Sequence, residues 1–326
     1  MVNIPVLSVK GESIPEAWER SVVELYKDGL RYCRDGPKDK GREQIDSTMT
    51  IEVENPDHEF FMHRGMSCGI DGLLEYQMEM LGAKNSLVVG TFDNADDPRW
   101  PYAYNERFSN YPSRKNYFID QIGGVIRNLI NEPHMRRANM ITCVPEKDIK
   151  SDDPPCLQNV WFFLGPEGND SYLLNMNYVF RSRNVMIAAP MNMVGLYTLQ
   201  CYVRDKINER SGLNVKNGRI VDFINSYHVR ADGMENLEKF IESLGKRNFE
   251  DRVWSRSHVF GIMLDELQGV KEKIIGQVRN RCEERKNLSK NSGRRWRGRD
   301  LLDIYLEDEI GRIDEISGYM EEFLRC

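Results

Sequence analysis

Cys156 follows two acids and two prolines in SDDPPC and leads straight into the apolar, aromatic run LQNVWFFLG. Proline fixes its own φ, so Pro154 and Pro155 make a rigid corner at the mouth of an expected strand. A thiol held still at an element's edge suits a nucleophile, whereas a cysteine used only for packing can sit anywhere on a strand's inner face. Arg181, in YVFRSRN, falls on an expected neighbouring strand, where a guanidinium would favour the thiolate. Arg136 and Arg137 in HMRR offer two adjacent forks suited to a phosphate, although surface arginines are more often a solvated pair. His228, in SYHV, stands at a strand end, where a lone histidine is usually a satisfied polar group.

These side chains can meet only if the segments carrying them form one sheet. ANMITCV, NVWFFLG, SYLLNMNYVFRSR and RIVDFINSYHV read as strands, and TMTIEVEN alternates as a strand does. SIPEAWERSVVELYKDGL opens with Ser13 and Pro15 and puts Trp18, Val22, Tyr26 and Leu30 on one helical face. GIDGLLEYQMEMLG reads as a helix capped by Gly82, and YFIDQIGGVIRNLINEP as a helix stopped by Pro133. NMVGLYTLQCYVRDKINERSG reads as a long helix buried on one side. Residues 36–48 are polar and basic and read as a loop. NADDPRWPYAYNERFSNYPSRKN reads as a long, turn-rich segment, of the kind that often carries function. Beyond residue 255 the chain reads as two charged helices joined by a basic loop. The expectation is an α+β layered fold, with a mixed sheet packed by helices over 1–255 and a helical extension over 256–326.

Bulk properties narrow the function. With 40% hydrophobic and 29% charged residues among 326, the chain can bury a large core, and its net charge of −6 gives no global pull towards nucleic acid. ERKNLSKNSGRRWRGRD surrounds Trp296 with basic residues, but the acidic LEDEIGRIDEISGYMEE follows directly, so a nucleic-acid partner is not expected. The apolar runs are too short for a bilayer, and the N-terminus lacks a secretory pattern. Seven scattered cysteines with no CxxC pair argue against a disulfide framework or a metal site and fit a reducing cytoplasm.

In order and spacing, DQIGGVIRNLINEPHMRR, PPC, RSRNVMIAAPMNMVGLY and INSYHV resemble thymidylate synthase and its relatives, the pyrimidine nucleotide hydroxymethylases. Upstream, LLEYQMEMLG is similar to the helix carrying that family's catalytic glutamate, and YAYNER to its Y-G-x-Q-x-R loop. The resemblance implies a pyrimidine nucleoside monophosphate as substrate and 5,10-methylenetetrahydrofolate as one-carbon donor. Cys156 would attack C6 of the ring, covalent catalysis that divides one hard substitution into easier steps. Glu75 would manage protons, and Tyr102 would assist loss of the C5 proton, with Tyr104 as its rival. Without the family, Glu75 reads as an exposed helical carboxylate. Arg181 and Ser182 would hold the phosphate, and Arg136 and Arg137 would reach the partner's site across a homodimer. Arg42 would be the phosphate-loop arginine, with Arg34 as alternative. Asn192 would read the pyrimidine edge and leans towards uracil, a preference that an amide flip inverts. His228 would contact the sugar 3′-hydroxyl.

The sequence also departs from the family pattern. Leu157 follows the nucleophile where histidine is usual, and Asn184 replaces the aspartate that anchors the pterin. Arg230 stands where a sugar-binding tyrosine is expected, which points to a ribonucleotide, whereas Ser182 points to a deoxyribonucleotide. Trp100 is a displaced substitute for the family's shielding tryptophans. The segment that seals the site has no counterpart; a charged helical tail stands there instead. Sealing excludes water from a reactive intermediate. Its loss favours hydration, and hence a hydroxymethyl product over the methyl product of a divergent synthase. A binding protein that keeps the nucleotide site without turnover is a further reading, to be distinguished by loss of folate binding. A cysteine hydrolase is disfavoured, because no convincing Cys–His–Asn/Asp order accompanies Cys156.

Overall fold

A computed structural model of the chain describes residues 3–33, 41–87, 102–114, 117–168, 171–291 and 299–326. The chain opens with β1 (Val6–Gly11), α1 (Ile14–Asp28), β2 (Leu30–Cys33), β3 (Glu43–Val53), β4 (Phe60–His63) and α2 (Ile70–Met80). The middle runs α3 (Tyr104–Ser109), β5 (Tyr111–Arg114), β6 (Tyr117–Ile119), α4 (Gln121–Asn131), β7 (Asn139–Ile141) and α5 (Pro145–Asp148). Then come β8 (Leu157–Gly168), β9 (Ser171–Phe180), β10 (Arg183–Asn184), α6 (Ala188–Ser211) and β11 (Asn214–Val229). The chain closes with α7 (Met234–Leu244), α8 (Phe249–Arg252), β12 (Val253–Ser255), α9 (Arg256–Asn291) and α10 (Arg299–Arg325). This is the expected α+β architecture.

The central sheet runs β1-β3-β11-β9-β8-β7, with β2 also paired to β3 and β10 to β11. It is mixed: β11 lies antiparallel to β3 but parallel to β9, and β8 is antiparallel to both β7 and β9. Alternation assigns its two faces. Val160, Phe162 and Leu164 of β8, and Leu174, Met176, Tyr178 and Phe180 of β9, enter the core. Trp161 and Phe163 point away from that core and stay 36% and 41% exposed.

The helices start and stop for local reasons. Ser13 Oγ accepts the Glu16 N–H at 3.4 Å, and a proline at the helix start loses no hydrogen bond. Helix α6 ends where Gly212 takes φ +70°, a left-handed cap that glycine adopts without a Cβ clash.

Four expectations need correction. Helix α6 is buried all round through Val194–Cys201, not on one side, because the sheet, α1, α2 and α4 all pack against it. Leu81, not Gly82, caps α2; Gly82 follows at φ +108°. Residues 117–119 pair with β5 as a strand, so the helix begins only at Gln121, behind the Asp120 side-chain cap. The expected loop over 36–48 is a strand from Glu43 onward, because Gln44–Ser47 are buried beside β11 and β2.

The tail forms two long helices. Helix α9 lies along α2 and β4, and α10 packs back on α9. Val259, Phe260, Met263, Ile274, Ile313 and Met320 join the same buried cluster as the sheet.

Candidate active site

The corner before β8 is held by an arginine. Arg181 donates from Nε to Pro155 O at 3.1 Å and from Nη2 to Pro154 O at 2.6 Å, while its backbone N–H reaches Cys156 O at 2.8 Å. The two prolines thus fix the turn, and Arg181, from the end of β9, ties it to the sheet. Asp153 lies 3.7 Å from the same guanidinium. Burial pushes the Cys156 thiol up, and the Arg181 charge and a hydrogen bond with Tyr102 pull against it.

Tyr102 reaches both the thiol and the backbone of Cys156. Its ring centroid lies 5.7 Å from that of Tyr104, whose hydroxyl meets the Leu157 backbone. The segment bearing both tyrosines is anchored below by a buried pair, Arg107 Nη2 to Asp148 Oδ1 at 3.0 Å. Asn192, near the start of α6, donates from Nδ2 to the Tyr76 hydroxyl at 2.5 Å. Gly195 permits this approach, since a Cβ there would meet Tyr76 Cε1 at 2.6 Å.

Asn184 and His228 are register partners on the paired strands β10 and β11, and Asp46 of β3 pairs with His228 from the other side. Asn184 Oδ1 accepts the backbone N–H groups of Met186 at 3.0 Å and Ile187 at 3.1 Å. Ser182 is half-buried in the link between β9 and β10.

The other expected residues have surroundings of their own. Glu75 is paired with Lys84 at 2.6 Å and Lys273 at 2.7 Å. Arg42 is exposed just before β3. Arg136 and Arg137 are exposed between α4 and β7, with Arg137 bonded to Glu132 at 2.7 Å. Arg34, Trp100 and Trp296 fall outside the described residues.

The sequence reading missed three features. Arg183 is fully buried against Asp222, with its guanidinium 4.4 Å from the Phe180 ring centroid and 5.7 Å from that of Tyr227. Arg183 and Asp222 sit on different strands, so local spacing does not betray the pair. Tyr76 is the second; nothing in its local sequence sets it apart. The third is the pair of lysines on Glu75, one of them 198 positions away.

A thiol at a rigid corner, a tyrosine beside it and an amide at the start of α6 thus gather at one end of a mixed sheet. A family model for thymidylate synthase matches residues 84–256, just over half of the chain. The chain belongs to the thymidylate synthase family. A protein of Methanococcoides burtonii named "Putative thymidylate synthase" is 27% identical over 240 residues, covering 72% of this chain and 95% of its own length. Proteins with the same name from Methanothermobacter thermautotrophicus and Methanopyrus kandleri are 27% and 29% identical over 237 and 211 residues. They cover 72% and 64% of this chain, and 98% and 86% of their own lengths. Thymidylate synthase-family proteins are one-carbon transferases, and this chain is an enzyme of that class. No described helix is long and apolar enough to cross a membrane.

Proposed function

We propose that the chain is a pyrimidine nucleoside monophosphate C5 hydroxymethyltransferase that works through a covalent adduct between Cys156 and C6 of the ring. The observation that carries the chemistry is the thiol, hydroxyl and guanidinium of Cys156, Tyr102 and Arg181 gathered at one rigid corner. Methylenetetrahydrofolate is the one-carbon substrate. Addition of the Cys156 sulfur to C6 places the electron pair at C5, which bonds to the one-carbon unit. In this reading Tyr102 helps to remove the C5 proton, and tetrahydrofolate departs to leave an exocyclic methylene. Water then adds to that carbon, the electron pair returns to expel the Cys156 thiolate from C6, and no species is oxidised.

Asn184 supports hydration over methylation. Its carboxamide oxygen is committed to two backbone N–H groups, so it offers a pterin only its NH₂ donor. That fits a pterin carbonyl, but not the acceptor role of the family's aspartate. Asn192, beside Tyr76, supports a uracil base. A methylating synthase with dihydrofolate as coproduct is the second reading, and the names of the relatives favour it.

A homodimer fits the outer face of the sheet, where Trp161 and Phe163 of β8 and Phe223 of β11 are exposed on either side of β9; Phe223 is 41% exposed. In that reading Arg136 and Arg137, exposed in each protomer, meet the partner's phosphate, and the enzyme works in the cytoplasm.

The test is incubation of the purified protein with dUMP, dCMP, UMP or CMP and methylenetetrahydrofolate. Mass spectrometry reads the nucleotide, and absorbance follows dihydrofolate. A hydroxymethylated product without dihydrofolate is expected. A methylated product with dihydrofolate would select the second reading.

A further inference from the structure

Glu75 lies between two ammonium groups on different elements. Lys84, in the turn after α2, sits 2.6 Å from its carboxylate and also reaches Glu79 at 3.3 Å. Lys273, from α9, sits 2.7 Å away. The Glu75 side chain keeps only 14% exposure, while Lys273 remains 55% exposed on the solvent side of the pair. Helix α9 starts at Arg256, the residue where the family match ends. The second cation therefore comes from chain beyond the shared frame.

We propose that Lys273 is a positioning residue for Glu75, and that through it the C-terminal helices form part of the catalytic centre. This rests on the reading of Glu75 as the proton-handling carboxylate. Glu75 and Glu79 stand one helical turn apart on α2 and share Lys84, so a single ammonium would have to serve both. Lys273 relieves that competition, fixes the Glu75 rotamer and favours its charged form.

The surroundings of the two carboxyls differ accordingly. Burial opposes charge at Glu75, but hydrogen bonds from Lys273 and Lys84 outweigh it and hold the carboxyl below its ordinary range. Burial is deeper at Glu79, which among the described residues pairs with Lys84 and faces the charge of Glu75, and its carboxyl is pushed up. Asp71, on the same helix, adds its charge at Lys273. Neighbouring carboxyls whose pKa values are pushed apart take different protonic roles. Glu75 is the one kept ready to accept a proton, and the tail keeps it so.

The test compares wild type, K273M and K273R by the pH dependence of kcat/KM, with nucleotide affinity measured in parallel. Loss of the ammonium should let the Glu75 carboxyl rise, moving the acid limb of the K273M profile up by roughly half a pH unit. Nucleotide affinity should hold, and K273R should restore the limb. An acid limb unmoved in K273M would overturn the proposal. A second measurement needs no turnover: titration of ¹³C-labelled glutamate carboxyls by NMR, with E75Q identifying the signal. An upward move of the Glu75 signal in K273M supports the contact, and an unmoved signal overturns it. If that signal moves in a protein that turns over none of the four nucleotides, the contact stands and the functional reading falls.

Discussion

The Asn192 side chain donates to the hydroxyl of Tyr76, which is half-buried on α2 where that helix packs on α6. That contact orients the amide assigned to read the base. Here the hydroxyl accepts from the amide nitrogen, and that contact takes part in fixing which way Asn192 faces. Y76F keeps the ring and removes only this contact. The ratio of kcat/KM for dUMP over dCMP should fall by about threefold to tenfold, the worth of one ordinary hydrogen bond. An unchanged ratio in a well-folded variant would reduce Tyr76 to a packing residue.

Cys156 should react as a partly buried thiol restrained by one arginine. Burial raises its pKa and the Arg181 charge opposes the rise. Alkylation by iodoacetamide tracks the thiolate, so its rate at the Cys156 peptide, followed by mass spectrometry, should inflect above the ordinary thiol value of about 8.5. R181Q should push the inflection higher still. An inflection below the ordinary value in the wild type would mean that the site favours the thiolate without substrate. C156S should abolish turnover and keep nucleotide binding.

The Arg183–Asp222 pair should matter more to stability than to chemistry. D222N would leave a guanidinium buried against Phe180 and Tyr227 without its counter-charge, at a cost of about 3–5 kcal/mol. Urea denaturation measures this directly. The double substitution R183M/D222L should recover most of the loss; if it is as unstable as D222N, shape rather than charge governs the position.

The exposed face of β8 should be covered in solution. W161E/F163E places charge at the centre of the expected contact, and sedimentation should show a monomer with the wild-type circular dichroism. If Arg136 and Arg137 serve the partner's site, that monomer should also lose turnover. An active monomer would sink the shared-site reading.

The parts of the molecule legible in the sequence were those whose signal is local. The Ser13 cap, the strand following Cys156 and the stop before Pro133 each rest on a few adjacent residues. The strand at Glu43–Ser47 was hidden because Gln44, Asp46 and Ser47 are buried by pairing to β2 and β11, which no local pattern reveals. Cys156 and Arg181 were expected on neighbouring strands, and they meet because both flank strands that pair with each other. Tyr76, Lys273 and the Arg183–Asp222 pair escaped because each takes its meaning from a residue on another element, up to 198 positions distant.

The order of the sheet has a consequence for how the molecule is made. β11, the last of its strands to leave the ribosome, is the one that joins the two halves. Until residue 229 emerges, β3 and β9 each wait with one unpaired edge, the kind of edge that invites pairing with other chains. His228 and Asn184 do not become neighbours before then. That end of the sheet is thus completed by its final closure, and a nascent chain halted earlier would carry the Cys156–Arg181 corner without His228 beside Asn184.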